Sequence, residues 1–335
     1  MSLPTRVSGC LAATAVVLAA GAGRALAHGQ APAALDPVTA FTAWTVDPLA
    51  CAGLLLALGG YLVAVFRVDR SHPRSRVPRR RVAAWLAGLA VIAVALQGSI
   101  DVYATSLFTV HMVQHLLLTM VAAPLLALGA PMTLVLRVAS PGLRRRVILP
   151  LLHSPPVKAI SFPVVTWLLF AGVMWASHFS PLFDAALEDP RVHAGEHLLF
   201  LVSAMLFWWP AVGADPTPWR IGYGGRIVYL GLGMPQNTFL ALAIYSAPAV
   251  LYPHYAAVER SWGPSALADQ QLAGGLMWVA GDVLFVVPLV LAVAAWLKAE
   301  EEKGARLDAQ LARRRAAEER DAGRGPGVSS GVDAG

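Results

Sequence analysis

His111 and His115 stand four residues apart, as do His193 and His197, and His178 follows Met174 by the same interval. An i, i+4 pair sets two side chains on one face of a helix, the arrangement that helical metal sites use. Imidazole with thioether suits a soft or borderline ion, copper above all, whereas carboxylate-rich shells suit magnesium or calcium. His111, His115, His193, His197, His178 and Met174 are therefore the candidate metal ligands. Asp101 and Glu196, with Asp184, are candidates to hold the second imidazole nitrogen. Asp282, set in an apolar run, is a further intramembrane polar group, with Gln97, Gln236 and Asn237 as candidate partners. Met112 points about 100° away from His111 and is assigned, with Met120, Met205 and Met234, to packing.

The elements that position these residues are membrane helices. Of 335 residues 57% are apolar and 14% charged, and a mean hydropathy of +0.59 excludes a water-soluble domain. Apolar runs of the length needed to cross ~30 Å of hydrocarbon as a helix fall near Leu49–Phe66, Val82–Ile100, Leu107–Leu128, Ile160–Ala176, Ala194–Gly213, Ile227–Ala247 and Leu272–Leu297. Stretches such as Leu116-Leu117-Leu118 do not alternate as the strands of a membrane barrel must. The expected fold is all-α, a polytopic bundle of seven transmembrane helices after an N-terminal signal segment.

Arg6, an apolar run to Ala20 and Ala25-Leu26-Ala27 read as a secretory signal over 1–27, with an uncleaved eighth span as the alternative. A short extracytoplasmic segment follows at 28–48, the seven-helix domain at 49–297, and a charged, largely disordered cytoplasmic tail at 298–335. Basic loops face the cytoplasm. The first loop carries seven arginines from Arg67 to Arg81, and the third carries Arg137, Arg144, Arg145, Arg146 and Lys158; the Asp101–Ser106 connection has no Lys or Arg. This alternation puts the N-terminus outside, the C-terminus inside and all five histidines near the outer face of the plasma membrane. The pI of about 9.7 then reflects arginines near anionic lipid, not a nucleic-acid surface. After the signal only Cys51 remains, which excludes an intrachain disulfide and a Cys-x-x-Cys site.

Three stretches of the chain resemble the seven-span CtaG-type cytochrome c oxidase assembly proteins. They are His111–His115 running on to Ala123-Pro124-Leu125-Leu126-Ala127-Leu128-Gly129-Ala130-Pro131; His193–His197 running on to Phe207-Trp208-Trp209-Pro210; and Leu251-Tyr252-Pro253-His254-Tyr255 with Asp269-Gln270-Gln271-Leu272-Ala273-Gly274 and Met277-Trp278. Family members often carry Trp before the histidine that ends span four, where this chain has Ser177. A single-span, cysteine-bearing copper chaperone shares the family's name, and this chain does not resemble it. The resemblance implies a part in maturing a haem-copper oxidase, with oxidase subunits as partners and copper handled for them.

There is no G-x-S-x-G, phosphate-binding glycine loop or H-E-x-x-H, so a non-enzymatic role is expected. Two other functions fit the same residues. One is a haem protein with axial histidines from opposed helices, since an i, i+4 pair on one helix cannot supply both axial positions. The other is a copper transporter, which needs a polar path that Asp282 and Asn237 alone do not make.

Overall fold

A computed structural model describes residues 32–322, so the signal expected at 1–27 and the end of the tail lie outside the described residues. The described residues are helical, with no strand among them. Among the described residues eight helices organise the bundle: α1 Pro48–Ser71, α2 Arg79–Gln97, α3 Phe108–Val138, α4 Pro163–His178, α5 Leu182–Glu188, α6 Pro190–Val212, α7 Tyr223–Tyr245 and α8 Ala266–Ala322. Six of them are long and apolar enough to cross a membrane, and α4 with α5, bent by 66° between them, makes up to seven. This is a multi-pass membrane protein. α4 alone has 16 residues, about 24 Å at 1.5 Å per residue, short of the hydrocarbon thickness.

Helix ends follow local chemistry. Asp47 caps α1 by accepting from the amides of Leu49 and Ala50 at 2.7 and 3.2 Å, and Asp189 caps α6 through the Arg191 amide at 2.7 Å, each with proline at the next position. α8 does not stop at the expected membrane edge. It continues to Ala322, so residues 298–322, the part of the expected tail whose mixed acids and bases suit a solvated helix, are helical. That stretch is rich in Ala, Glu, Lys and Arg, good helix formers, and Glu300–Lys303 and Glu302–Arg306 pair along its surface at 3.6 and 3.3 Å.

α3 is irregular where it matters. Residues 117–122 form π-type turns in which the Ala123 amide donates back five residues to the Leu118 carbonyl. In that register the next donor falls on Pro124, which has no N–H. The Thr119 carbonyl is satisfied instead by the buried Trp208 indole of α6 at 2.8 Å. α3 then breaks at Ala130, whose φ of 51° lies in the left-handed region.

α7 and α8 form the tightest pair. A Cβ added to Gly274 would lie 2.8 Å from the Tyr245 backbone nitrogen, and one on Gly281 would lie 2.6 Å from the Asn237 amide. These glycines, seven residues apart, let the two backbones close. Gly274→Ala should destabilise the protein by about 1–3 kcal/mol, the usual result of overpacking against backbone that cannot yield, read as a lower denaturation midpoint in detergent.

Candidate metal centre

Three helices bring the histidines together. On α6, His193, Glu196 and His197 have i, i+3, i+4 spacing and share one face. They meet His111 and His115 of α3. The His111 and His193 ring centroids are 5.6 Å apart, those of His111 and His115 4.2 Å, and those of His193 and His197 4.1 Å. His178 at the end of α4 lies 6.1 Å from the His115 ring, as does His197. All five imidazoles expected from sequence thus belong to one cluster. His193 alone is half-buried; the other four are buried.

Glu196 is the centre of this group. Its Oε2 lies 3.9 Å from Nε2 of both His111 and His115, and it is buried at 2% exposure. Single ligand atoms of His111, His193 and Glu196 all fall within 4.8 Å of one another. Small side-chain rotations would place them on one ion at bonds near 2.0–2.2 Å. Sequence reading gave Glu196 an outer, supporting role. Its contacts come from another helix, and no spacing within α6 announces them.

The polar atoms here lack protein partners. Both nitrogens of His111 and His115, Nε2 of His178, His193 and His197, and both oxygens of Glu196 are buried without a hydrogen bond. Each such group costs about 1–3 kcal/mol when left unsatisfied. His178 is the most defined: its Nδ1 bonds the Met174 carbonyl at 2.7 Å, and since a carbonyl only accepts, the proton sits on Nδ1 and the Nε2 lone pair is free. Phe183 packs 5.0 Å from the His111 ring and Phe200 4.3 Å from the His115 ring, walling the cluster with apolar surface. The order His193-x-x-Glu196-His197 also matches inverted zinc peptidases. Here the carboxylate sits among imidazoles of a second helix behind phenylalanine.

The other predicted residues lie elsewhere. Asp101 accepts from Gln114 Nε2 and Thr45 Oγ1, each at 3.0 Å, and therefore braces α3 against the short helix Ser99–Ala104 instead of holding an imidazole. Asp184 accepts from the His254 amide at 3.4 Å, and the His254 ring bonds the Thr105 carbonyl at 2.8 Å. Asp282 takes Asn237 Nδ2 at 3.1 Å and Thr238 Oγ1 at 2.7 Å, which selects Asn237 from the expected partners and adds Thr238. Met174 and Met277 line a cavity beside His115 and His178.

The roof is held by residues that sequence reasoning did not assign a task. Asp269 of α8, 1% exposed, accepts from the Phe108 and Thr109 amides at 2.7 and 3.3 Å and from Thr109 Oγ1 at 2.6 Å, capping the helix that carries His111. Arg260 stands 3.8 Å away. Tyr255 donates to the Ala104 carbonyl at 2.7 Å and Tyr252 to the His178 carbonyl at 3.3 Å. An acid in the first turn of α8 was the available signal, but its target lies 160 residues earlier.

A family model for the cytochrome c oxidase caa3 assembly factor (Caa3_CtaG) matches residues 59–299, most of the chain and every residue of the cluster. The chain belongs to this family. The Caa3_CtaG match starts inside α1 and ends in α8, covering the bundle. Uncharacterized proteins of Mycobacterium bovis and Mycobacterium tuberculosis are each 33% identical over 276 residues, 80% of this chain, and one of Mycobacterium leprae is 31% identical over the same length. The chain spans 41% of the length of these relatives. No solved structure matches.

Asp269→Ala should cost about 3 kcal/mol or more, because it strands buried amides and Arg260 together. The denaturation midpoint in detergent should fall, and amide exchange should rise first over residues 108–115.

Proposed function

We propose that this protein is a non-enzymatic assembly factor for a haem-copper oxidase, which takes up copper at the extracytoplasmic end of the bundle and hands it to an oxidase subunit. The observation that carries the reading is the set of unpartnered imidazole nitrogens and carboxylate oxygens packed against one another in one cluster. His111, His193 and Glu196 form its tightest group. His115, His197 and His178 add further nitrogen donors within one ring-to-ring step.

Such a donor set suits cargo better than a resident ion. A closed four-ligand site holds its metal, whereas more donors than one ion needs allow ligands to exchange stepwise, each new bond forming before the old one is lost. Glu196 contributes the negative charge that a divalent or monovalent cation needs away from water. The proton fixed on His178 Nδ1 keeps its Nε2 ready to bind.

Family membership supports the oxidase as recipient, and the arginine-rich loops support an outward-facing cluster. Phe183 and Phe200 occupy the space beside the rings that a porphyrin would need, so the arrangement favours an ion over haem. Toward the other end of the bundle, Phe207, Trp208 and Phe285 pack together with centroids 5.3–6.1 Å apart, Phe207 edge-on to the other two rings, which favours exchange at one face over passage through the membrane.

Two measurements test the proposal. Purified protein loaded with copper and washed should retain it, and His111→Ala with His115→Ala should weaken binding by more than the roughly 10–100-fold that follows loss of a mere supporting partner of a ligand. Cells lacking the protein should assemble oxidase with low activity and low copper content, both restored by added copper. Unchanged retention in the variant would refute the site, and normal oxidase copper in the deletion would refute the role.

A further inference from the structure

Next to the imidazole cluster lies a cavity of about 30 Å³ lined by Met112, Met120, Met174 and Met277 together with His115 and His178. The chain has eight methionines, and half of them face this one space. They come from three helices, α3, α4 and α8. Met112 lies before and Met120 within the π-type turns at 117–122, and both line the same wall.

Methionine fills irregular gaps in ordinary cores, so the thioethers alone would not identify a site. The remaining lining does. His178 Nε2, whose lone pair is left open by the proton on Nδ1, is buried without a hydrogen-bond partner, and His178 lines the cavity. Asn237 forms part of the floor, its amide held 3.1 Å from the Met277 carbonyl and 3.1 Å from Asp282 Oδ1. A space that only needed filling would not carry an unpaired imidazole nitrogen inside a bilayer. The volume exceeds what one water requires and admits a single small ion.

We propose that this cavity is a second copper site, specific for Cu(I), adjoining the His/Glu set and joined to it through His115 and His178. It deepens the copper reading above and rests on it for the identity of the cargo. Neutral thioethers are soft donors that favour Cu(I) and leave harder divalent ions to imidazole and carboxylate. A monovalent ion among neutral ligands also carries the smallest charge into the membrane. The two compartments are therefore chemically distinct: Glu196 with His111 and His193 suits Cu(II), and the methionine cavity suits Cu(I).

The full-length protein in lipid nanodiscs would be loaded separately with Cu(I) under anaerobic conditions and with Cu(II) in air. Sulfur scattering in the copper X-ray absorption spectrum reads the first site, competition with a Cu(I) chelator gives its affinity, and nitrogen hyperfine splitting in electron paramagnetic resonance reads the second. Met174→Leu with Met277→Leu, close in volume, should abolish sulfur scattering and weaken Cu(I) at least tenfold while the Cu(II) signal persists, which also shows that the fold is intact. His111→Ala with His193→Ala should do the reverse. Cu(I) bound without sulfur scattering, or with unchanged affinity in the double leucine variant, would overturn this site and leave the His/Glu reading standing. Sulfur-bound Cu(I) with no Cu(II) signal in the unaltered protein would uphold the cavity and overturn the His/Glu reading.

Discussion

Placing imidazole and carboxylate groups where water does not reach is costly, and the architecture around His111 and Glu196 follows from that cost. Hydrocarbon offers no hydrogen bonds, so each buried nitrogen or oxygen must find a partner in the protein or in something the protein binds. Most polar groups in this bundle find protein partners. Asp282 has Asn237 and Thr238, Asp101 has Gln114 and Thr45, and Tyr229 has Thr166 and the Phe207 carbonyl. The cluster of five histidines and Glu196 is the concentrated exception among the described residues, and its free atoms converge.

The surrounding scaffold can be understood as the means of holding that exception in place. Asp269 fixes the start of α3, so the depth of His111 is set by a contact from α8. Trp208 satisfies the carbonyl that the π-type turns and Pro124 leave open, which allows α3 to change register just past His115. Tyr252 and Tyr255 tie the segment before α8 to the ends of α4 and of the helix Ser99–Ala104. The N-terminal segment joins the same end, with Tyr103 and Trp262 bonded to the carbonyls of Ala33 and Pro32. Glycines at 274 and 281 bring α7 and α8 close enough for Asn237 to reach Asp282.

Much of this was legible in the sequence because it is written in local pattern. Apolar length located the spans, although α4 is shorter than its run suggests and α8 runs on through charged residues. The i, i+4 histidine pairs announced a shared helical face, and counting residues along each span set them at a common level, which their meeting in one cluster requires. What the sequence did not reveal depends on contacts between distant segments. Glu196 is central only because α3 crosses α6 where it does. Asp101 looked like a partner for imidazole from its position in the chain, yet the short helix Ser99–Ala104 turns it toward Gln114. Met112 and Met120 read as packing, and only the approach of α4 and α8 to α3 sets them beside Met174 and Met277.

The central claim is that the buried histidines and Glu196 hold copper in transit. An anomalous difference map, recorded at the copper absorption edge from crystals of the copper-loaded protein, addresses it directly. The account predicts a peak bounded by His111, His193 and Glu196. A map with no copper between these three residues, from protein that retains the metal elsewhere, would contradict it.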